Sequence, residues 1–284
     1  MKNLLLSAVF LAAATPAAAY TAYLMPDEFL PDDRTVSLQA SYATTFFTPA
    51  LAVGAEFAVV NPDGSDGFYS RVEVAGQSTR LASQLYDEGT YRFTTGERLG
   101  RVATMVGVDG TWRELGESET PPEDAQTQTL QTVTVADVYV TLGAPSRQAV
   151  DRTVGRLALR PITHPNQVLV AQGFQVNAQF DGAPFANAAL VLYKAGEPET
   201  DLRRDLTTGP NGNSTLSVDE PGHYIVSARH RAAAAPGAEA QIQSYTTSLV
   251  FEAFNTLPPV VQLADEGDDD DDRRRRRRGI SRRF

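Results

Sequence analysis

The sequence predicts an all-β protein built as two consecutive β-sandwich domains, and three observations predict it. The run Phe174-Gln-Val-Asn-Ala-Gln-Phe180 places Phe174, Val176, Ala178 and Phe180 on one face and Gln175, Asn177 and Gln179 on the other. That period of two is what a strand with one buried face requires. Short runs rich in aromatic and β-branched residues recur along the chain, separated by glycine, proline, asparagine and aspartate turns, the punctuation of an all-β domain. No segment after residue 19 sustains an apolar period of 3.6 residues, so helix is expected to be scarce.

The first nineteen residues read as a signal peptide. Lys2 is followed by the apolar run Leu4 to Ala14, and Ala17-Ala-Ala19 supplies the small-x-small cleavage pattern. That run is about half of the roughly 20 residues a membrane span needs. The expectation is a cleaved leader, a chain beginning at Tyr20 and a periplasmic or secreted location, with no transmembrane segment in the mature chain. There is no cysteine, so stability rests on core burial alone.

The N-terminal sandwich is assigned to residues 20–162. The segment Tyr20 to Phe29 leads into Thr35 to Ser41, which alternates as a strand, and Ala55 to Val60 reads as another. Asn61-Pro-Asp-Gly-Ser-Asp-Gly67 is rich in turn formers. Asp63 and Asp66 in it raise a calcium loop, but position 72, where the bidentate glutamate belongs, is Val; a solvated turn is the favoured reading. Phe68 to Val74, Gly89 to Thr95 and Arg101 to Gly107 are expected strands, Gly116 to Thr129 a long polar loop, and Thr132 to Thr141 and Arg156 to Pro161 strands again. Ile162 to Asn166 marks the boundary.

The C-terminal sandwich is assigned to residues 163–256. After the strand at Phe174, Asp181-Gly182 turns the chain. Asn187 to Tyr193 is apolar on both faces, as in the middle of a sandwich. Thr207 to Val218 reads as strand, glycine turn and strand; His223 to Arg229 and Ile242 to Phe254 follow. Seven or so strands with turns every eight to twelve residues fit an immunoglobulin- or transthyretin-like sandwich.

Charge divides the chain. Asp265 to Phe284 carries seven acids and eight arginines, with Asp268 to Asp272 meeting Arg273 to Arg278. Between Tyr20 and Ala264 stand 28 acidic and 16 basic residues, a net of −12. A body that acidic repels nucleic acid and favours cations. The stretch 257–284 is read as a disordered Asp/Arg-rich tail, its opposite blocks neutralising each other, with an arginine end able to touch anionic surfaces.

Several motifs carry a family resemblance: Tyr23-Leu-Met-Pro-Asp-Glu-Phe29, Gly89-Thr-Tyr91, Val138-Tyr-Val-Thr141 and Gly155-Arg-Leu-Ala-Leu-Arg-Pro161, then Phe180-Asp-Gly-Ala-Pro184, Gly222-His-Tyr224 and Thr247-Ser-Leu-Val-Phe251. On these the chain resembles the domain of unknown function family 4198, with a prealbumin-like C-terminal domain. The resemblance implies a periplasmic protein, and some members are labelled as nickel or cobalt uptake components. Many members open with a histidine just before the aromatic-leucine segment; here Tyr20-Thr-Ala22 stands there.

Nickel and cobalt favour imidazole or thiolate donors, and the chain offers three histidines. His223 and His230 are seven residues apart near one strand, so they are expected on opposite faces; His164 sits at the boundary. Asp27, Glu28, Asp32 and Asp33 could hold a hard cation, with a solvated acidic loop the favoured reading. There is no G-x-S-x-G elbow, H-E-x-x-H pair or phosphate loop. No catalytic or cofactor-binding residue is assigned, no cofactor is implied beyond a divalent metal, and the metal ligands stay unknown. The expected function is an exported non-enzymatic binding or accessory protein associated with nickel, cobalt or iron uptake, serving an envelope transporter or outer-membrane receptor. The alternative is a structural or adhesive envelope module that binds polysaccharide or another envelope protein.

Overall fold

Nineteen strands and one turn of helix make up the computed structural model, which describes residues 20–116, 118–198 and 205–260. The leader, residues 1–19, and most of the expected tail, residues 261–284, lie outside the described residues. The first strands are β1 (Thr21–Pro26), β2 (Thr35–Ala43), β3 (Ala58–Val60), β4 (Asp66–Gly67), β5 (Arg71–Ala75) and β6 (Ser78–Gln84). Next come β7 (Gly89–Thr94), β8 (Arg98–Val108), β9 (Thr111–Glu114), β10 (Gln126–Leu142) and the helical turn α1 (Gln148–Asp151). Then follow β11 (Leu157–Pro161), β12 (Val168–Leu169), β13 (Phe174–Phe180), β14 (Ala183–Pro184) and β15 (Ala189–Lys194). The last are β16 (Asp205–Thr207), β17 (Asn213–Leu216), β18 (Gly222–Ala233) and β19 (Ile242–Phe254).

These strands form three sheets. A front sheet runs β1-β2-β6-β5, a back sheet holds β11, β13, β14 and β17, and an eleven-stranded sheet lies between them. The central sheet is continuous because β10 and β19 pair in parallel from Leu130↔Ile242 to Val138↔Val250. It is thus one layer of both sandwiches. Strand alternation assigns its two faces. Ala136, Val138, Val140, Ile225 and Val250 enter the core under the front sheet. Tyr139, Tyr224, Val226, Leu249 and Phe251 enter the core under the back sheet. Buried on both faces, β10 and β19 also carry polar residues into the interior, among them Asp137, Thr141, Gln243 and Ser248. Ser248 in β19 also donates its hydroxyl to the Ala22 carbonyl of β1, 2.6 Å away.

The segment Phe174–Phe180 is β13, and it sits at the heart of the back sheet with Phe174 fully buried against Phe251, ring centres 4.5 Å apart. Burying a side chain of that size contributes about 2–3 kcal/mol. Asn177 departs from the expected alternation: it is buried, not solvent-facing. The turn after β16 folds over it, and its amide donates to the Asn211 carbonyl at 2.8 Å and to Asn213 Oδ1 at 2.7 Å. That turn is tight enough that a Cβ on Gly212, at φ +77°, would come 2.5 Å from the Ala178 carbonyl oxygen.

Several boundaries differ from expectation, most of all at the start of β10. Residues 126–129 belong to β10 instead of the preceding loop, because β8 extends to Val108 and pairs with them (Gln126↔Gly107). The hairpin β8–β9 continues this wing, with the Trp112 ring lying over Gly107, where an added Cβ would come 3.3 Å from it.

Candidate functional site

The three histidines lie in three separate places. His164 is buried beneath the N-terminal end of β7. Its Nδ1 accepts the Asn166 backbone N–H at 3.2 Å, so Nε2 carries the proton and faces the Ser146 carbonyl at 3.1 Å and Thr90 Oγ1 at 3.0 Å. Thr141 completes the network through Thr90 (2.8 Å) and the Asn166 side chain (2.9 Å). Burial holds the imidazole pKa below its ordinary value, and both ring nitrogens are already engaged.

His223 and His230 point to opposite faces of β18. His223 packs on Phe29 under the front sheet, its Nε2 3.8 Å from a Glu252 carboxylate oxygen. Burial shifts both toward neutrality, the imidazole down and the carboxyl up. His230 is wedged on the back side, 4.6 Å from each of the Phe180 and Phe185 ring centres. Among the described residues no three His, Asp or Glu side chains converge in a way that could hold a metal ion. In the 61–67 turn Asp63 accepts from the Ser65 amide (2.9 Å) and hydroxyl (2.6 Å), while Asp66 pairs with Arg152 at 2.7 Å. Those two carboxylates serve the turn and an arginine, each with its own partner.

What the structure does bring together lies at one end of the sheets, where β1, β6, β10 and β19 finish and β2, β5, β7 and β18 begin. Two aromatic side chains stand out from it, Phe68 at 87% and Tyr86 at 76% exposure. Both are held by their backbones. Ser83 donates its hydroxyl to the Phe68 carbonyl at 2.9 Å, and the Ser70 amide donates to the Ala82 carbonyl at 2.8 Å. The Tyr86 carbonyl accepts from the Arg34 guanidinium, and Leu85 beside it is fully buried. Exposed rings on a pinned backbone present contact area at little conformational cost.

The electrostatics of this end are one-sided. Asp27, Glu28, Asp32, Asp33, Asp87 and Glu88 are all exposed. None lies within ion-pairing distance of a cation among the described residues. Asp27 and Asp33 instead accept backbone amides, from Ser37 at 3.0 Å and from Thr35 at 2.7 Å. The Thr35 bonds hold the Asp33 carboxyl below its ordinary pKa. Arg34 donates to the neutral Tyr86 carbonyl and keeps its charge at this end, one cation among six carboxylates, while Arg71 and Arg152 are matched by Glu73 and Asp66. Beside the carboxylates lies an apolar cleft of about 110 Å³ lined by Leu30, Pro31 and Gly143, with Leu257 to Val260 running along it.

A second concavity crosses the outer face of the front sheet, an open trough of about 520 Å³. Its floor is low because Ser37 and Ala82 are small and directly opposed across β2 and β6. Gln39, Arg80 and Glu73 form the neighbouring row. The acidic loop is visible in the sequence, whereas Phe68 and Tyr86 are signalled only by standing beside a glycine or acidic run (Gly67-Phe68; Tyr86-Asp-Glu88), a turn context in which an aromatic ring is not committed to a core.

An all-β chain of two sandwiches with an exposed aromatic and acidic end is the class of protein this geometry defines. The chain belongs to the family described as Domain of unknown function (DUF4198), which matches residues 17–232. No curated protein matches. Among solved structures, the D0-D1 domain of intimin is 13% identical, over 80% of this chain and 96% of that one, at a TM-score of 0.21. Trypsin-activated alpha-2-macroglobulin from Escherichia coli is 13% identical, over 84% of this chain and 16% of that one, at a TM-score of 0.21. The tandem Ig repeats of Dlar are 10% identical, over 81% of this chain and all (100%) of that one, at a TM-score of 0.18. At such scores these likenesses carry no argument about function. No helix among the described residues is long and apolar enough to cross a membrane.

Proposed function

We propose that this chain is an exported, non-enzymatic accessory protein that contacts an envelope partner through the aromatic and acidic end of its sheets. The observation that carries the reading is the pair Phe68 and Tyr86, 87% and 76% exposed on a pinned backbone. Aromatic side chains are enriched at the centres of protein interfaces, where they supply most of the binding energy. A fold that spends two of them on solvent keeps a surface for something else to cover.

Service to nickel or cobalt uptake, which the family resemblance implies, or to iron uptake has no donor set among the described residues. A part in metal traffic would run through contact with a transporter. The test is a photoreactive group placed at Tyr86 in living cells, with Thr111 on the distant β8–β9 hairpin as the control. A discrete adduct from position 86 alone supports the reading; equal adducts from both positions, or none from an exported protein, sinks it.

A further inference from the structure

What fits two exposed rings set among six exposed carboxylates, none of them in an ion pair among the described residues? Guanidinium groups do. Arginine is planar, stacks on aromatic faces and pairs with carboxylates through a two-pronged fork. The chain itself carries such a segment: Arg273 to Arg278, six consecutive arginines in a protein whose body holds a net charge of −12.

We propose that the Arg273–Arg278 segment of this same chain docks across this end, its guanidinium groups stacked on Phe68 and Tyr86 and paired with the carboxylates around them. Three observations support that occupant. The chain leaves the described body here, because Leu257 to Val260 lie along Leu30, Pro31 and Gly143, which adjoin Asp32, Asp33 and Glu88 in sequence or space. Twelve residues separate Val260 from Arg273. Extended, they reach about 40 Å, whereas a four-stranded sheet is only about 15 Å across at ~4.8 Å per strand. Finally, the signs agree. Asp268 to Asp272 would be repelled by the rim while the arginines beyond them are attracted, so one orientation of the segment is favoured.

This inference rests on the reading of that end as a partner-binding surface, and it adds a regulation to it. The arginine segment covers the rings until a partner displaces it, so binding is intramolecularly competed and grows stronger when the segment is removed. Tethering makes the competition effective, since a short linker holds its end at a local concentration on the millimolar scale.

The test is hydrogen exchange on the full chain from Tyr20, compared with a variant carrying Arg273→Ser to Arg278→Ser together. Amides of residues 27–34 and 85–88 are expected to exchange several-fold faster in the variant. The same increase is expected in the unmutated chain at about 0.5 M salt, where the Debye length shrinks to about 4 Å. A Phe68→Ser, Tyr86→Ser chain should show reduced protection of 27–34 at low salt. Unchanged exchange in the arginine variant overturns the proposal. Protection that rises with protein concentration also overturns it, since the segment would then be reaching a second copy. The measurement needs no partner, so its failure leaves the cross-linking result at Tyr86 untouched, and the two readings fall separately.

Discussion

Arg92 on β7 and Asp137 on β10 meet in a two-pronged ion pair, Nε to Oδ1 at 3.0 Å and the second arm to Oδ2 at 2.6 Å, with both residues almost wholly buried. The guanidinium also donates to the Arg152 carbonyl and lies 5.7 Å from the centre of the Tyr139 ring. Every heavy-atom donor on Arg92 therefore has a partner. A buried pair of this kind adds little over a well-packed apolar replacement, but losing one half strands the other. Asp137→Asn is predicted to destabilise the protein by about 3–5 kcal/mol, read as a drop in the urea midpoint with little change in slope. A loss under about 1 kcal/mol would show that water reaches Arg92.

Tyr139, next to that pair, gives the opposite expectation. Its hydroxyl is buried with no hydrogen-bond partner among the described residues. Tyr139→Phe removes an unsatisfied polar group while leaving the ring that packs on Arg92. The change should be neutral or stabilising by up to about 1 kcal/mol. Destabilisation by thermal melting would reveal a partner for the hydroxyl.

Stability should also depend on pH through the histidines. Burial lowers the pKa of His164, His223 and His230 in the folded state. Below the unfolded value of about 6.5 the unfolded chain therefore binds more protons than the folded one. The stabilisation is fully present above that pH and is lost as pH falls below it. Glu252, whose carboxyl burial raises, works the other way at lower pH. Chemical unfolding between pH 7.5 and 5.5 is predicted to show falling stability, with His164→Gln weaker overall but flatter in its pH response. An equally steep response in that variant would place the effect elsewhere.

Gly212 tests the turn over Asn177. An alanine there combines φ +77° with a Cβ 2.5 Å from a carbonyl oxygen. Gly212→Ala is predicted to cost about 3 kcal/mol or more, against ~1 kcal/mol for Gly110→Ala, where φ is also positive but nothing lies near. Equal costs would mean that the turn relaxes freely.

Metal is predicted to leave the body unmoved. Dialysis of the chain from Tyr20 against nickel, cobalt, iron or calcium should retain no stoichiometric ion and shift no melting temperature. One equivalent retained with a clear rise in melting temperature would mean that residues outside those described complete a site.

The legible parts of the fold were strands with one dry face. Phe174–Phe180 and Ile242–Phe254 were readable to the residue, because their apolar periodicity or length left no other reading. β6 was missed for a physical reason. Its inward side holds Thr79 and Ser83 beside Leu81, and the two hydroxyls are satisfied by the Gly54 and Phe68 carbonyls of neighbouring loops, each at 2.9 Å. A polar residue sealed by loop backbone looks like a solvent-facing one in sequence. The parallel pairing of β10 with β19 was equally hidden, since it joins residues 112 apart, such as Leu130 and Ile242, and neither strand's pattern names its neighbour. The same limit applies to the binding end. Asp32, Asp33 and Glu28 were visible as an acidic loop, but only the fold brings Phe68 and Tyr86 to the same end of the sheets.

Engagement of a partner by this end would run through its two rings. The most direct measurement is the yield of the in-cell cross-link from a photoreactive group at Tyr86, with and without Phe68→Ser, in a protein whose export is checked by fractionation. One adduct of discrete mass is expected from position 86 and none from position 111, with the yield cut about tenfold by Phe68→Ser, the effect of removing a contact worth about 1.4 kcal/mol. An adduct indifferent to Phe68, or equally strong from Thr111, would contradict it.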